Sequence, residues 1–141
     1  MMKKTDLAYM AGIFDGEGSI CLRRVARKGM HQCYLLEVSV GNTNEWIIQQ
    51  FKFAFGGFAG VNRHGTKNHQ VYWQWSLAAI KAGDFLKIIY PYLKIKKPQA
   101  ELAIKFQEQK TGRRFRERTD AEKAIEEAQR ITMVNLHRGK P

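Results

Sequence analysis

The stretch Leu7-Ala8-Tyr9-Met10-Ala11-Gly12-Ile13-Phe14-Asp15-Gly16-Glu17-Gly18 joins a short helical run of small and apolar residues to an acidic, glycine-rich end. Every fourth position from Ala8 gives Ala8, Gly12 and Gly16, a stripe without bulky side chains along which another helix can approach almost backbone to backbone. Glycine inside a helix costs about 1 kcal/mol against alanine, so two of them point to a packing reason. If the partner is the same helix of a second copy, a two-fold axis brings two Glu17 carboxylates together at the helix ends, and such a pair needs cations. An ordinary amphipathic helix ended by a glycine-rich turn is the competing reading, because glycine stops of this kind are common.

Working outward, the strand-like Ser19-Ile20-Cys21-Leu22-Arg23 follows at once. Thr5 or Asp6 can cap a first helix reaching about Asp15, and strands over 19–26 and 32–40 join through the basic turn Arg27-Lys28-Gly29-Met30. Alternation in the second strand puts Tyr34, Leu36, Val38 and Val40 on one face and Cys33, Leu35, Glu37 and Ser39 on the other, as in a sheet with one covered and one open face. In the first strand Ile20 and Leu22 point inward, leaving Ser19, Cys21, Arg23, Val25 and Arg27 outward, so the open face is partly basic. A second helix starts at Thr43 or Asn44 and stops at Gly56-Gly57. Strands over 58–63 and 70–77 then flank the turn His64-Gly65-Thr66-Lys67-Asn68-His69, with Val71, Trp73, Trp75 and Leu77 on the core side and Gln70, Tyr72, Gln74 and Ser76 sharing the open face with Asn62 or its neighbours. Helices over 78–90 and from Pro98 to about Gln109 follow, and Thr119-Asp120-Ala121-Glu122 reads as a capping box opening a last helix to about Leu136.

The 141 residues, 44% hydrophobic, suit one domain with a single core. No apolar run approaches the roughly 18 residues of a membrane span, and the charged start lacks the apolar stretch of a secretion signal, so a cytoplasm-like compartment (a bacterial or phage cytoplasm, or an organelle interior) is expected rather than secretion. Cys21 and Cys33 lack disulfide or zinc-site spacing and read as reduced thiols. A net charge of +11 makes polyanions the expected partners, and the long basic amphipathic helix that a membrane surface would want is missing.

The segment Met10-Ala11-Gly12-Ile13-Phe14-Asp15-Gly16-Glu17-Gly18 resembles the LAGLIDADG motif of homing endonucleases, in the variant whose last acid is glutamate with glycine neighbours. The resemblance runs over about 7–109 in element order, and Pro91-Tyr92-Leu93-Lys94-Ile95-Lys96-Lys97-Pro98-Gln99-Ala100 is also similar to the segment before the helix that follows the second hairpin in single-motif members. It implies an α+β chain of αββαββα order with a saddle-shaped antiparallel sheet and added C-terminal helices. One endonuclease domain would then span 1–141, with a core of about 5–110 and a helical extension of about 111–141. Because the family builds its active site from two motif helices and this chain holds one, the resemblance implies a homodimer.

The implied chemistry is magnesium-dependent hydrolysis of phosphodiesters in both strands of a long pseudo-palindromic DNA target, in the service of intron or intein homing. Manganese is the expected substitute, and calcium is expected to bind without efficient turnover. Glu17 and the Gly16 carbonyl are the implied metal ligands; Asp15 aligns with the earlier, structural acid, although ligand chemistry allows either. Lys96 aligns with the family lysine near the scissile phosphate, against the alternative of a solvated basic loop. Asn42, or with a shifted alignment Thr43 or Asn44, falls where a polar side chain orients water, against the plain role of a turn residue. Sequence readout would come from the open face in the major groove, with Arg23, Arg27, Glu37, Ser39, Asn62, Arg63, Gln70, Tyr72 and Gln74 as candidates. Lysine and arginine elsewhere, such as Arg113, Arg114 and Arg116, would meet backbone phosphate or solvent. An RNA-splicing maturase, or a DNA-binding module that does not cut, is the alternative on the same basic face; a basic protein without sequence preference is the third reading.

Overall fold

Helix α1 (Lys4–Glu17) starts a residue before the expected caps, with the Asp6 carboxylate accepting the Lys3 backbone amide at 3.3 Å. The computed structural model describes residues 2–25, 33–112 and 118–139, so Arg27, Arg113, Arg114 and Arg116 lie outside the described residues. Along α1, Met10, Ala11 and Phe14 are buried, and the chain passes directly into β1 (Gly18–Val25). Gly18 is closely hemmed in: a Cβ there would stand 2.4 Å from the Phe14 ring and 2.6 Å from its carbonyl oxygen, so the motif's last residue has no room for a side chain. Strand β2 (Cys33–Asn42) pairs with β1 in the register Gly18 against Val40.

Helix α2 (Glu45–Phe55) begins where Asn44 Oδ1 accepts the Trp46 amide at 3.0 Å, which selects Asn44 over Thr43 as its cap. It ends at Gly56 and Gly57, whose φ values of 73° and 89° lie in the left-handed region that glycine adopts without steric cost. Strands β3 (Phe58–Arg63) and β4 (Tyr72–Ala78) follow. The register shifts between Val61 and Arg63, and the ladder opens at Tyr72; Gln70 and Val71 therefore precede the strand instead of belonging to it. Helix α3 (Ala79–Ile89), a 3-10 turn (Tyr90–Tyr92), α4 (Lys97–Gly112) and α5 (Asp120–His137) complete the chain.

The four strands form one antiparallel sheet in the order β1-β2-β4-β3, and helices cover one side of it. The expected alternation holds: Ile20, Leu22, Tyr34, Leu36, Val38, Val40, Trp75 and Leu77 are all buried against the helices. An aromatic cluster ties the layers together, with Phe85 of α3 packed edge-on to Phe14 of α1 (5.2 Å between centroids), Phe55 of α2 (4.7 Å) and Trp75 of β4 (5.0 Å). Trp75 is fully enclosed yet satisfied, because its indole N–H donates to the Gly56 carbonyl at 2.7 Å. This cluster fixes the direction of α1 relative to the sheet.

The Thr119 capping box is present, with Thr119 Oγ1 accepting the Glu122 amide at 3.2 Å and Glu122 accepting the Thr119 amide at 3.0 Å. Helix α5 packs on α4 and on β1, the outer strand, where a His137 ring nitrogen lies 2.6 Å from the Ile20 carbonyl oxygen. Arg24 and Arg130 stand 6.0 and 5.9 Å from the Tyr34 ring centre, and Glu127 pairs with both, at 3.7 and 2.7 Å. No helix among the described residues is long and apolar enough to cross a membrane.

Candidate active site

The end of α1 gathers the chemistry. Asp15 is used by the fold: its carboxylate accepts the backbone amides of Lys94 (2.8 Å), Ile95 (3.2 Å) and Lys96 (3.0 Å), drawing the segment before α4 onto the helix end. Lys96 returns the contact, donating from Nζ to the Asp15 carbonyl oxygen at 2.7 Å. That carbonyl is among the last four of the helix, which have no partner within it. The ammonium group is thereby fixed on a carbonyl two residues before Glu17, at the negative end of the helix dipole. A half-buried, tethered lysine of this kind differs from the solvated basic loop that the sequence also allowed.

Glu17 is the opposite case. It is exposed, and its carboxylate has no hydrogen-bond or ion-pair partner among the described residues. Gly16, beside it, offers another of the terminal carbonyls. A free carboxylate and a terminal carbonyl are hard oxygen donors of the sort that Mg²⁺ takes. Among the described residues no three His, Cys, Asp or Glu side chains of one chain cluster closely enough to hold a metal ion. The donors of a single copy are few, and a full ligand set would need water, phosphate oxygens or a second copy.

Asn42, at the end of β2, stands two residues beyond the Val40–Gly18 pair and so at the same end of the sheet as the α1 terminus. Its Oδ1 accepts the Asn44 amide at 2.8 Å, which is a turn role; its side-chain NH₂ has no partner among the described residues.

The stripe on α1 is bare. A Cβ added to Gly12 or Gly16 would meet nothing within 4 Å, so neither glycine is required by packing among the described residues. The fold bears the helix-propensity cost of both without using the space they leave.

The open face carries Ser19, Cys21 and Arg23 of β1, Glu37 and Ser39 of β2, Gln74 of β4 and Asn62 of β3, as alternation requires. Arg23 and Glu37 are paired at 3.2 Å, and the Asn62 amide donates to Gln74 Oε1. Tyr72 lies over Gly41, where a Cβ would strike its hydroxyl at 2.1 Å, and the Arg63 guanidinium stands 5.4 Å from the Tyr72 ring centre. Gln70 is exposed but off the ladder. Among the described residues the face is more polar than basic, since Arg23 is already matched by Glu37; the Lys96 ammonium is bound instead at the α1 end, and that of Lys97 stands 5.3 Å from the Tyr90 ring centre. The sequence reading passed over one member of this face: Phe58 is 66% exposed, sits opposite Ser76, and covers Gly60. Its parity with Gly60 and Asn62 was the available signal.

No protein-family model matches the chain, and no curated protein matches it. Solved structures do. The homing endonuclease I-CvuI, in complex with its target in the presence of calcium, aligns at 19% identity and a TM-score of 0.64, over 74% of this chain and 67% of its own. The homing endonuclease I-TnaI aligns at 17% identity and a TM-score of 0.66, over 94% and 89%. The LAGLIDADG homing endonuclease I-GzeII, in complex with a DNA target, aligns at 16% and 0.64, over 90% of this chain but 43% of its own. With its helix–hairpin–helix–hairpin–helix order and its four-stranded antiparallel sheet, the chain has the LAGLIDADG homing endonuclease fold.

Proposed function

We propose that two copies of this chain meet along α1 and hydrolyse one phosphodiester bond in each strand of a DNA duplex, at a specific site whose halves mirror each other, as the homing endonuclease of a mobile intron or intein. The observation that carries this reading is the pairing of two otherwise wasteful features on one helix. Among the described residues, Gly12 and Gly16 face open space, and Glu17 ends the same helix with a carboxylate that has no partner. A second α1 laid on the stripe uses the first feature and brings two Glu17 side chains together, which uses the other. I-GzeII, more than twice the length of the region it shares with this chain, agrees with one half-site unit per copy here.

Glu17 and the Gly16 carbonyl of each copy would hold Mg²⁺, with Mn²⁺ a substitute and Ca²⁺ supporting binding without efficient turnover. A bound divalent ion supplies neutralisation of phosphate charge and activation of water. Lys96, held on the Asp15 carbonyl, presents its remaining N–H donors to a phosphate at the helix end, where developing negative charge is stabilised. Asn42 has its NH₂ group left over from its turn contact to orient water or a phosphate oxygen. The open face lies in the major groove. Arg23 reads a base once the exposed Glu37 pair opens, at a cost of about 0–1 kcal/mol, and Gln74 with Asn62 matches an adenine edge. Arg63, Tyr72, Ser39 and Gln70 extend that surface.

The test is selection of cleaved sites from a randomised duplex library with Mg²⁺, repeated with Ca²⁺. Recovery of one mirror-symmetric site, cut with Mg²⁺ and bound without cutting in Ca²⁺, supports the proposal. Tight binding of structured RNA with no duplex cleavage would transfer it to the splicing alternative.

A further inference from the structure

Tyr72 of β4 is laid sideways across the open face. Gln74, the next residue of β4 on that face, is the one paired with Gly41 of β2, so Tyr72 reaches Gly41 on the diagonal. A Cβ on Gly41 would overlap the Tyr72 hydroxyl and stand 2.6 Å from the ring carbon that bears it, so the tip of the ring rests on bare backbone. A glycine inside a strand weakens it and marks a close approach, and here the approaching group is this hydroxyl.

The resting place is specific. Gly41 lies one residue beyond the Val40–Gly18 pair, so the register carried one step further sets it level with Glu17, and Asn42 follows it. The hydroxyl therefore stands at the α1 end of the sheet, and it has no hydrogen-bond partner among the described residues. Its O–H is a donor left over.

Arg63 is brought to the same ring by an irregularity. Strict alternation from Phe58, Gly60 and Asn62 would put Arg63 on the covered side, but the register shift after Val61 sets it opposite Tyr72, with its guanidinium 5.4 Å from the ring centre. Bulges re-aim side chains in this way, and a cation over a ring at this distance is attracted to it. Arg63 has no carboxylate partner among the described residues, unlike Arg23 on the same face, which Glu37 matches. A phenol O–H and an unmatched guanidinium on one ring present only donors and a positive charge. That set fits a phosphate oxygen, which accepts from both; among base edges in the major groove only guanine shows acceptors alone.

Resting on the nuclease reading above, we propose that the Tyr72 hydroxyl and the Arg63 guanidinium together hold a backbone phosphate of the target beside the Glu17 end of α1, and so position the strand for cleavage whatever its bases. Gly41 is the seat that lets the ring lie down. The irregularity in β3 delivers the cation.

Phosphate neutralisation tests this, using the full chain and the duplex recovered by selection for binding in Ca²⁺, with methylphosphonate placed at one backbone position at a time. For wild type, one phosphate in each half-site should weaken metal-free binding and slow single-turnover cleavage in Mg²⁺ by about tenfold. Tyr72→Phe keeps the ring and removes only the O–H. It should lose about as much on the unmodified duplex, show little further loss at that phosphate, keep its melting temperature and re-select the same base sequence. Gly41→Ala, which lifts the ring, should behave alike, and Arg63→Gln should remove the same sensitivity. Identical methylphosphonate profiles for wild type and Tyr72→Phe overturn the proposal, and so does a re-selected site changed at one base position, which would make the pair a guanine reader. A duplex bound with this interference but never cut overturns the nuclease reading alone, and a wild type that binds no duplex overturns both.

Discussion

Asp15 and Glu17 stand two residues apart on the same helix end, and the chain treats them as different kinds of group. Asp15 accepts three backbone amides from a segment some eighty residues away, and its own carbonyl receives Lys96. Glu17 has no hydrogen-bond or ion-pair partner among the described residues. A carboxylate whose two oxygens are both engaged by backbone amides is part of the architecture, whereas one left open at a helix end is available to ions. Within a single short motif, one acid is engaged by the fold and its neighbour stands open to solvent.

The contrast breaks most visibly at Glu17. On the proposed function, Glu17→Gln is expected to lower cleavage by at least about 10³-fold while leaving target binding in Ca²⁺ and the melting temperature unchanged, since the side chain is exposed and has no partner among the described residues. A matched fall in stability and binding would show that Glu17 belongs with Asp15. Next in size is Gly12→Leu, which probes the open stripe. The single chain should fold as before or gain up to about 1 kcal/mol of helix propensity, yet cleavage should drop by about 10²-fold or more as the helices are pushed apart. Normal cutting by this variant would remove two-copy assembly along α1.

Asp15→Ala should show the reverse pattern. Loss of three hydrogen bonds to a charged acceptor is expected to cost about 2 kcal/mol in a denaturant titration, allowing for the solvent around them, with a secondary loss of activity as Lys96 comes adrift. Asp15→Asn, which keeps one acceptor oxygen, should fall between the two.

The smallest effect concerns another partnered acid. The hydrogen bond from Arg130 holds the Glu127 carboxyl below the usual carboxylate range, helped by the charges of Arg130 and Arg24, and Glu127 in turn raises Arg130. A carboxylate lowered on folding stabilises the folded state above its ordinary pKa, and that contribution is lost as pH falls through the lowered value. Helix α5 should therefore loosen slightly on acidification before the aromatic core does, seen as amide chemical-shift changes confined to α5; Glu127→Gln should flatten that response.

Much of this was legible in the chain because it is periodic or local. The alternation of Tyr34, Leu36, Val38 and Val40 needs no tertiary information, and neither does the Thr119–Glu122 box. The start of β4 was less so: Gln70 and Val71 continue the alternation perfectly well, and the register shift near Asn62 that ends the ladder at Tyr72 is a property of the pair of strands. Site roles divide in the same way. Glu17 could be picked from the motif, but the tethering of Lys96 depends on a contact spanning eighty residues, and the matching of Arg23 by Glu37 on a cross-strand neighbour. The existence of helix α5 was legible but its seat was not, since Arg24 holds it from the helix side of a strand where alternation leads one to expect an apolar residue.

The seating of α5 against β1 has a further consequence. An outer strand with bare amides and carbonyls invites another chain to add itself to the sheet, a route to misassembly. Here a helix lies along that border, while at the far border β3 is broken by the irregularity near Asn62. Lateral growth is discouraged on both sides, and a chain that lost its last helix would be expected to precipitate through strand-to-strand stacking before it lost its core.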